Sequence, residues 1–163
     1  MTQPPHEIIA TRGFHLTQIA LPGVVLGCLR KRDWKGLDQA IRRETLSGGT
    51  IFDELLRYAR FSEIEFIISI RSSLEEPDED GIWHDDGSRL LAFSLSLTLD
   101  ADSIGGGRLE LRKPASGSIE TLEVLPTPPY GTMIVFATGQ LGFEHRIGAV
   151  TSGERIIIAG WCT

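Results

Sequence analysis

Cysteine is scarce in this chain: 163 residues contain two, Cys28 and Cys162, with no Cys-x-x-Cys pair. Neither a disulfide framework nor a cysteine-built zinc site is expected, and the thiols read as reduced, in a cytoplasmic setting. Basic clusters are also missing. Sixteen Lys and Arg stand against 22 Asp and Glu, a formal charge of −6, and no basic run exceeds Arg30–Arg32. A polyanion is repelled on average, so nucleic acid is not an expected partner. No apolar run approaches the roughly 18 residues of a membrane span, and Met1–Glu7 has neither the basic stretch nor the apolar segment of a secretory signal. Repeats, low-complexity tracts and linkers are absent as well. What remains is 41% hydrophobic residues, enough to bury the core of one domain, 1–163.

Two apolar periodicities divide that domain. Over about 30–60, Trp34, Leu37 and Ile41 recur at i, i+3 and i+7, one stripe of an amphipathic helix. Ser47–Gly49 interrupts the pattern. Thr50–Asp53 then has the form of a capping box with Asp in place of Glu, followed by a second apolar face of Ile51, Leu55 and Ala59. From about residue 63 the period becomes two. Strands are expected over 63–72, 90–99, 108–113, 119–124, 132–137, 145–150 and 154–161, separated by turn residues at Gly105–Gly107, Lys113–Gly117 and Thr127–Gly131. Short, closely spaced strands of this kind make an antiparallel sandwich or barrel, here α+β but mainly β, with the helices packed on a sheet. Within Leu90–Leu99 the odd positions are aliphatic or aromatic while Ser94, Ser96 and Thr98 share the other face. A solvent-facing side is the simpler reading of those hydroxyls, and the wall of a polar pocket is the alternative.

Chemistry concentrates in Trp83–Arg89 and Phe143–Arg155. Residues i and i+2 of a strand point the same way, about 6–7 Å apart, so His84 and Asp86 form a same-face pair with Asp85 turned away. One imidazole and one carboxylate suit a first-row divalent metal, and a second imidazole completes a facial triad. Of the four histidines, His6 and His15 lie near the N-terminus, outside the strand-rich region, which leaves His145. Arg155 follows His145 by ten residues and is expected on the adjacent strand, in alternation with Ile157, Ala159 and Trp161. An arginine among apolar neighbours calls for an anion, and a small dicarboxylate matches its forked donors.

Taken in order, Asp86–Arg89, Ser94, Leu99–Asp100, Gly106–Leu111, Gly131–Phe136 and His145–Arg155 followed by Trp161 resemble the iron(II)/2-oxoglutarate-dependent dioxygenases. The closest likeness is to their prolyl 4-hydroxylase-like branch, and it runs from Phe66 to Trp161. The resemblance implies a double-stranded β-helix (jelly-roll) barrel over about 63–162, with the N-terminal helices on its outer sheet. It implies iron(II) on His84, Asp86 and His145, 2-oxoglutarate with its distal carboxylate on Arg155, O2 as the oxidant and ascorbate as a reductant. The activity implied is hydroxylation of an unactivated C–H bond, with succinate and CO2 as co-products.

Departures from the family pattern shape the remaining expectations. A serine that several branches place two residues after the arginine is Ile157 here, so Thr98 or Ser96 is expected to assist cosubstrate binding. Arg71, where relatives often have Tyr, is expected at the cosubstrate, with a surface arginine at a strand end as the alternative. Trp83, able to stack on a substrate ring or plug the barrel end, and Arg89 are the substrate candidates. Asp86 argues against the halogenating variant, which lacks this carboxylate. Trp161 stands where nucleic-acid demethylases carry a second arginine, and the His-x-His signature of cupins is missing. The acidic stretch Leu74–Asp80 either attracts a basic substrate or is simply solvated. The expected substrate is a peptidyl, proline-like residue; the alternatives are a free amino acid or small metabolite, and a non-catalytic 2-oxoglutarate sensor on the same scaffold. Oligomeric state is not legible.

Overall fold

The computed structural model describes residues 4–73, 81–115 and 118–163, the side chains of 115–122 excepted. The expectation for the Leu74–Asp80 stretch therefore lies outside the described residues. In chain order the elements are α1 (Pro5–Arg12), β1 (Phe14–Gln18), α2 (Gly23–Lys31), α3 (Trp34–Glu44), α4 (Thr50–Leu55), β2 (Ile64–Ser72), β3 (Leu91–Ser96), β4 (Gly105–Gly106), β5 (Leu109–Ala115), β6 (Ser118–Leu125), β7 (Thr132–Ala137), β8 (Glu144–Ile147), β9 (Val150–Ser152) and β10 (Glu154–Cys162).

The expected helices are present, with altered ends. α3 is capped by Asp33, whose carboxylate accepts from the Gly36 N–H at 3.0 Å. The capping box at Thr50 does not form. Gly49 is the N-cap of α4, without a side-chain bond, and the Thr50 N–H goes instead to Glu44 at 2.9 Å. The segment before residue 30, which shows no clear apolar period, holds two more helices and a strand. Pro5 opens α1, where its missing N–H costs nothing, and Gly13 at φ 89° closes it, its N–H returning to Ile9. His15 consequently lies in the sheet, on β1, rather than outside the strand-rich region, but its Nδ1 is 2.8 Å from the Tyr58 hydroxyl, away from the other histidines.

Five antiparallel strands in the order β1-β7-β3-β10-β2 make the major sheet. One face carries the helices. Leu91, Phe93, Leu95, Met133, Val135 and Ile158 pack there against Val25, Leu37, Ile41 and Leu55, and burial of such side chains contributes about 1.5–3 kcal/mol each. The opposite face looks toward a three-stranded sheet, β6-β5-β8, through Ala92, Ile134 and Phe136 against Leu109 and Leu111. The small β4-β9 pair lies beside them. The strand expected over 145–150 is broken: β8 ends at Ile147 and β9 begins at Val150.

β3 is buried on both sides, so the solvent-facing reading of its hydroxyls is corrected: Ser94, Ser96 and Thr98 are all buried. Covered by the second sheet, this face of β3 is interior.

The core also sets an alkaline limit on stability. Cys162 is fully buried, and burial pushes its thiol up to about 12; Tyr58 is raised by burial and by Glu54 beside it. Both native groups hold their protons where the unfolded chain releases them, so their stabilisation is complete below about pH 9 and is lost as pH rises toward 12. The urea midpoint is expected to fall steadily from pH 9 to 11, and the Cys162→Ala protein to fall less steeply. Equal midpoints at pH 8 and 11 would contradict this.

Candidate metal centre and cosubstrate cavity

A cavity of about 360 Å³ opens between the two sheets, within the range of small-molecule sites. His84 and His145 stand on its wall with Ser94, Arg155, Ile157 and Trp161.

His84 and Asp86 meet by a route other than strand alternation. His84 is joined to β8 by a single bridge, its N–H and C=O exchanging hydrogen bonds with those of His145 at 3.0 and 2.8 Å. The chain then turns. The Asp85 carboxylate accepts from the Gly87 N–H at 2.9 Å, and Asp86 adopts φ 59°, a left-handed conformation that Asp tolerates better than most residues. This turn brings Asp86 Oδ1 to 3.6 Å from His84 Nε2 and Asp86 Oδ2 to 3.3 Å from His145 Nε2. One ligand atom from each of the three residues lies within 4.8 Å of the others.

The local chemistry suits a cation. His84 Nδ1–H donates to the Ile82 carbonyl at 3.0 Å, which fixes the tautomer and leaves Nε2 as the ligand atom. Burial, with a smaller contribution from His84, pushes the His145 imidazole down to about 3 against the pull of Asp85, so it is neutral, the form that binds metals. Burial raises the Asp86 carboxyl, opposed by Trp161, His84 and Arg89. Asp86 Oδ2 and His145 Nδ1 are buried without a hydrogen-bond partner among the described residues. A buried carboxylate between two imidazoles is costly unless a positive charge joins it. Two nitrogens and one oxygen form a donor set for a first-row divalent ion, and the residues present therefore fit iron(II).

Arg155 is on β10, 2% exposed, between β2 and β3 of the major sheet. It faces the cavity from the sheet opposite His145, so the expectation that the two sit on adjacent strands is corrected. Its alternation set is as expected, since Ile157, Ala159 and Trp161 line the same cavity. Arg155 Nε donates to Thr127 Oγ1 at 3.1 Å. The stem passes over Gly107, where a Cβ would stand 2.8 Å from Arg155 Cδ.

The other candidates are placed as follows. Arg71 is on the cavity wall, opposite Arg155 in the β2–β10 register. Thr98 is not on that wall: its hydroxyl donates to the Ile156 carbonyl and accepts from the Ile156 N–H, both at 3.0 Å. Ser96 is likewise engaged, accepting from the Thr98 N–H at 3.2 Å. The hydroxyls found nearest the arginine and the cavity are instead those of Thr127, bonded to Arg155, and Ser94, on the wall, whose Oγ is buried without a partner among the described residues. Trp83 is outside the cavity, against Arg112 and Arg146 of the three-stranded sheet. Arg89 pairs with Glu65 at 2.9 Å and lies over the Trp161 ring, so it too is off the wall. Sequence reasoning missed Thr127 because a threonine before two prolines reads as a turn; only the need of a buried arginine for a further acceptor pointed to such a residue.

No protein-family profile matches the chain. A PKHD-type hydroxylase of Rippkaea orientalis is 27% identical over 136 residues, which cover 80% of this chain and 55% of that protein. The chain thus spans little more than half the length of this curated relative. Among solved structures, a Pseudomonas putida prolyl-4-hydroxylase superposes with a TM-score of 0.61 at 20% identity, covering 97% of this chain and 91% of the other. A Trichoplax adhaerens prolyl hydroxylase, solved with a hypoxia inducible factor oxygen degradation domain peptide, gives 0.61 at 11% identity over 98% and 87%. The fold is that of the 2-oxoglutarate–iron(II) oxygenases. The Rippkaea relative is a hydroxylase and both of these solved structures are prolyl hydroxylases, so the likeness agrees with the resemblance drawn from the motifs.

Proposed function

We propose that this chain is an iron(II)- and 2-oxoglutarate-dependent oxygenase domain that hydroxylates an unactivated C–H bond. The observation that carries the reading is the convergence of His84, Asp86 and His145 within 4.8 Å on the wall of a cavity that also holds a buried arginine. The two facing sheets are read as the halves of a double-stranded β-helix. In that reading His84 and His145 supply neutral nitrogens and Asp86 one carboxylate oxygen. Arg155 receives the distal carboxylate of 2-oxoglutarate through charge-assisted hydrogen bonds, and Thr127 keeps the guanidinium from swinging. Ile157, Ala159 and Trp161 make the wall apolar, which strengthens those bonds by excluding water. Iron(II), when bound with 2-oxoglutarate and O2, supplies the oxidation itself: R–H, O2 and 2-oxoglutarate become R–OH, succinate and CO2.

The proposed substrate is a peptidyl, proline-like residue. His84 is half exposed, and Ile67 and Ile82, 54% and 57% exposed, flank the cavity mouth, so one apolar side chain of a larger molecule can reach the triad. The peptide bound to the Trichoplax neighbour supports the same reading. The test joins two measurements. Under anaerobic conditions the protein is expected to bind iron(II) and then 2-oxoglutarate. In air, a mass-spectrometric screen of proline-containing peptides, free amino acids and metabolites is expected to find gain of one oxygen atom matched by succinate. Binding of both ligands without oxygenation of any candidate would favour the sensor reading; failure to bind iron(II) would end the proposal.

A further inference from the structure

We infer that Trp83 is a positioning residue for the metal triad, acting from the face of the three-stranded sheet opposite the cavity. The inference rests on the metal reading above. His84 is tied to β8 by one bridge, with the Gly81 N–H donating to the Ile147 carbonyl at 2.9 Å before it and the Asp85 carbonyl accepting from the Gly139 N–H at 2.8 Å after it, and a left-handed turn follows two residues later. These backbone bonds fix the path of the segment, and a roll about that path is the motion left that would turn the imidazole. Side chains of neighbouring residues in extended backbone leave on opposite faces, so a grip on Trp83 opposes that roll.

The grip is built from the neighbours of the second imidazole. Glu144 and Arg146 flank His145 on β8, and they pair across the sheet with Arg112 and Glu110 of β5. Arg112 meets Glu144 at 2.6 Å and Arg146 meets Glu110 at 2.7 Å. Both guanidiniums stand over the Trp83 ring, at 4.1 and 4.7 Å from its centroid. Tryptophan gives the strongest cation–π attraction of the aromatic residues, and the carboxylates hold each guanidinium in place. The strand that carries His145 on its inner face therefore fixes, on its outer face, the residue next to His84. The two histidine rings, 4.2 Å apart between centroids, are coupled through this outer contact as well as through the backbone bridge.

The test is a cobalt(II) titration, followed by visible absorption, of the wild type and of Trp83→Ala, Trp83→Leu and Trp83→Phe. Residues that orient metal ligands typically change affinity by about 10- to 100-fold. Trp83→Ala and Trp83→Leu are expected to weaken cobalt(II) binding about tenfold and to broaden its absorption bands, whereas Trp83→Phe, which keeps a π face, recovers most of the affinity. Leucine restores apolar bulk without that face, so wild-type affinity in a folded Trp83→Leu protein, judged by circular dichroism and thermal midpoint without metal, would overturn the inference. If Trp83→Ala fails to fold, the leucine and phenylalanine proteins decide. A wild type that binds no cobalt(II), or an Asp86→Asn protein that binds it equally well, would instead locate the failure in the metal reading.

Discussion

Asp86→Asn is expected to lose metal binding while leaving the metal-free fold at least as stable as the wild type. Asn tolerates the left-handed backbone at this position and matches Asp in shape, so the substitution removes little besides the charge. In the metal-free protein that charge is unfavourable: the carboxylate is buried, and its Oδ2 has no hydrogen-bond partner among the described residues. With metal present the order reverses. A ligand at 100 times its Kd stabilises the native state by about 2.7 kcal/mol, so manganese(II) or cobalt(II) should raise the thermal midpoint of the wild type by several degrees and that of the variant not at all. Calorimetric titration should show affinity reduced by at least about a hundredfold, and iron-dependent succinate formation should disappear. A variant with the same metal-induced shift as the wild type would remove Asp86 from the ligand set. Such a pattern, better fold but no function, is common where a site is built from groups that destabilise it when empty.

Arg155→Met separates the cosubstrate from the metal. The methylenes of the arginine stem lie among Gly107, Val150 and the cavity wall, and methionine keeps most of that volume. Loss of one partner from a buried charge pair costs about 2–5 kcal/mol, so 2-oxoglutarate affinity is expected to fall at least about thirtyfold, with cobalt(II) affinity within a factor of about two of the wild type. Arg155→Lys should not rescue binding, because an ammonium group replaces neither the planar fork nor the Nε–H that meets Thr127. Unchanged 2-oxoglutarate affinity in Arg155→Met would assign the distal carboxylate to another cation, Arg71 being the nearest candidate on the wall.

The parts of this site that could be read in advance are those with a strong local signature. The period-two pattern of Leu91–Leu97 shows a strand whatever surrounds it, and β10 is legible from its β-branched run Ile156–Ile158. His84 and Asp86 stand out as a histidine with a carboxylate two residues on, His145 as one of four histidines in the chain, and Arg155 as a charge beside an apolar run. Facts that depend on a second element were out of reach. Whether Ser94 faces water or a cavity is decided by β5 and β8 lying across from it. The expected spacing between His84 and Asp86 assumed regular extension, whereas the Asx turn at Asp85 supplies the actual approach. Thr98 presents the same hydroxyl as any cavity residue, yet the Ile156 backbone uses both its donor and its acceptor capacity. Trp83 read as a substrate contact because the two arginines beside it come from strands roughly 30 and 60 residues further along.

Gly107 governs how closely the Arg155 stem packs against the cavity floor. It sits at φ 60°, and a Cβ there would stand 2.8 Å from Arg155 Cδ and 3.0 Å from Val150 Cγ2, so any side chain must displace the arginine stem or its neighbour. On the proposed function, the place of the guanidinium that would receive the cosubstrate is thereby tied to a position that carries no side chain, and replacements at 107 would perturb that group without touching the metal ligands.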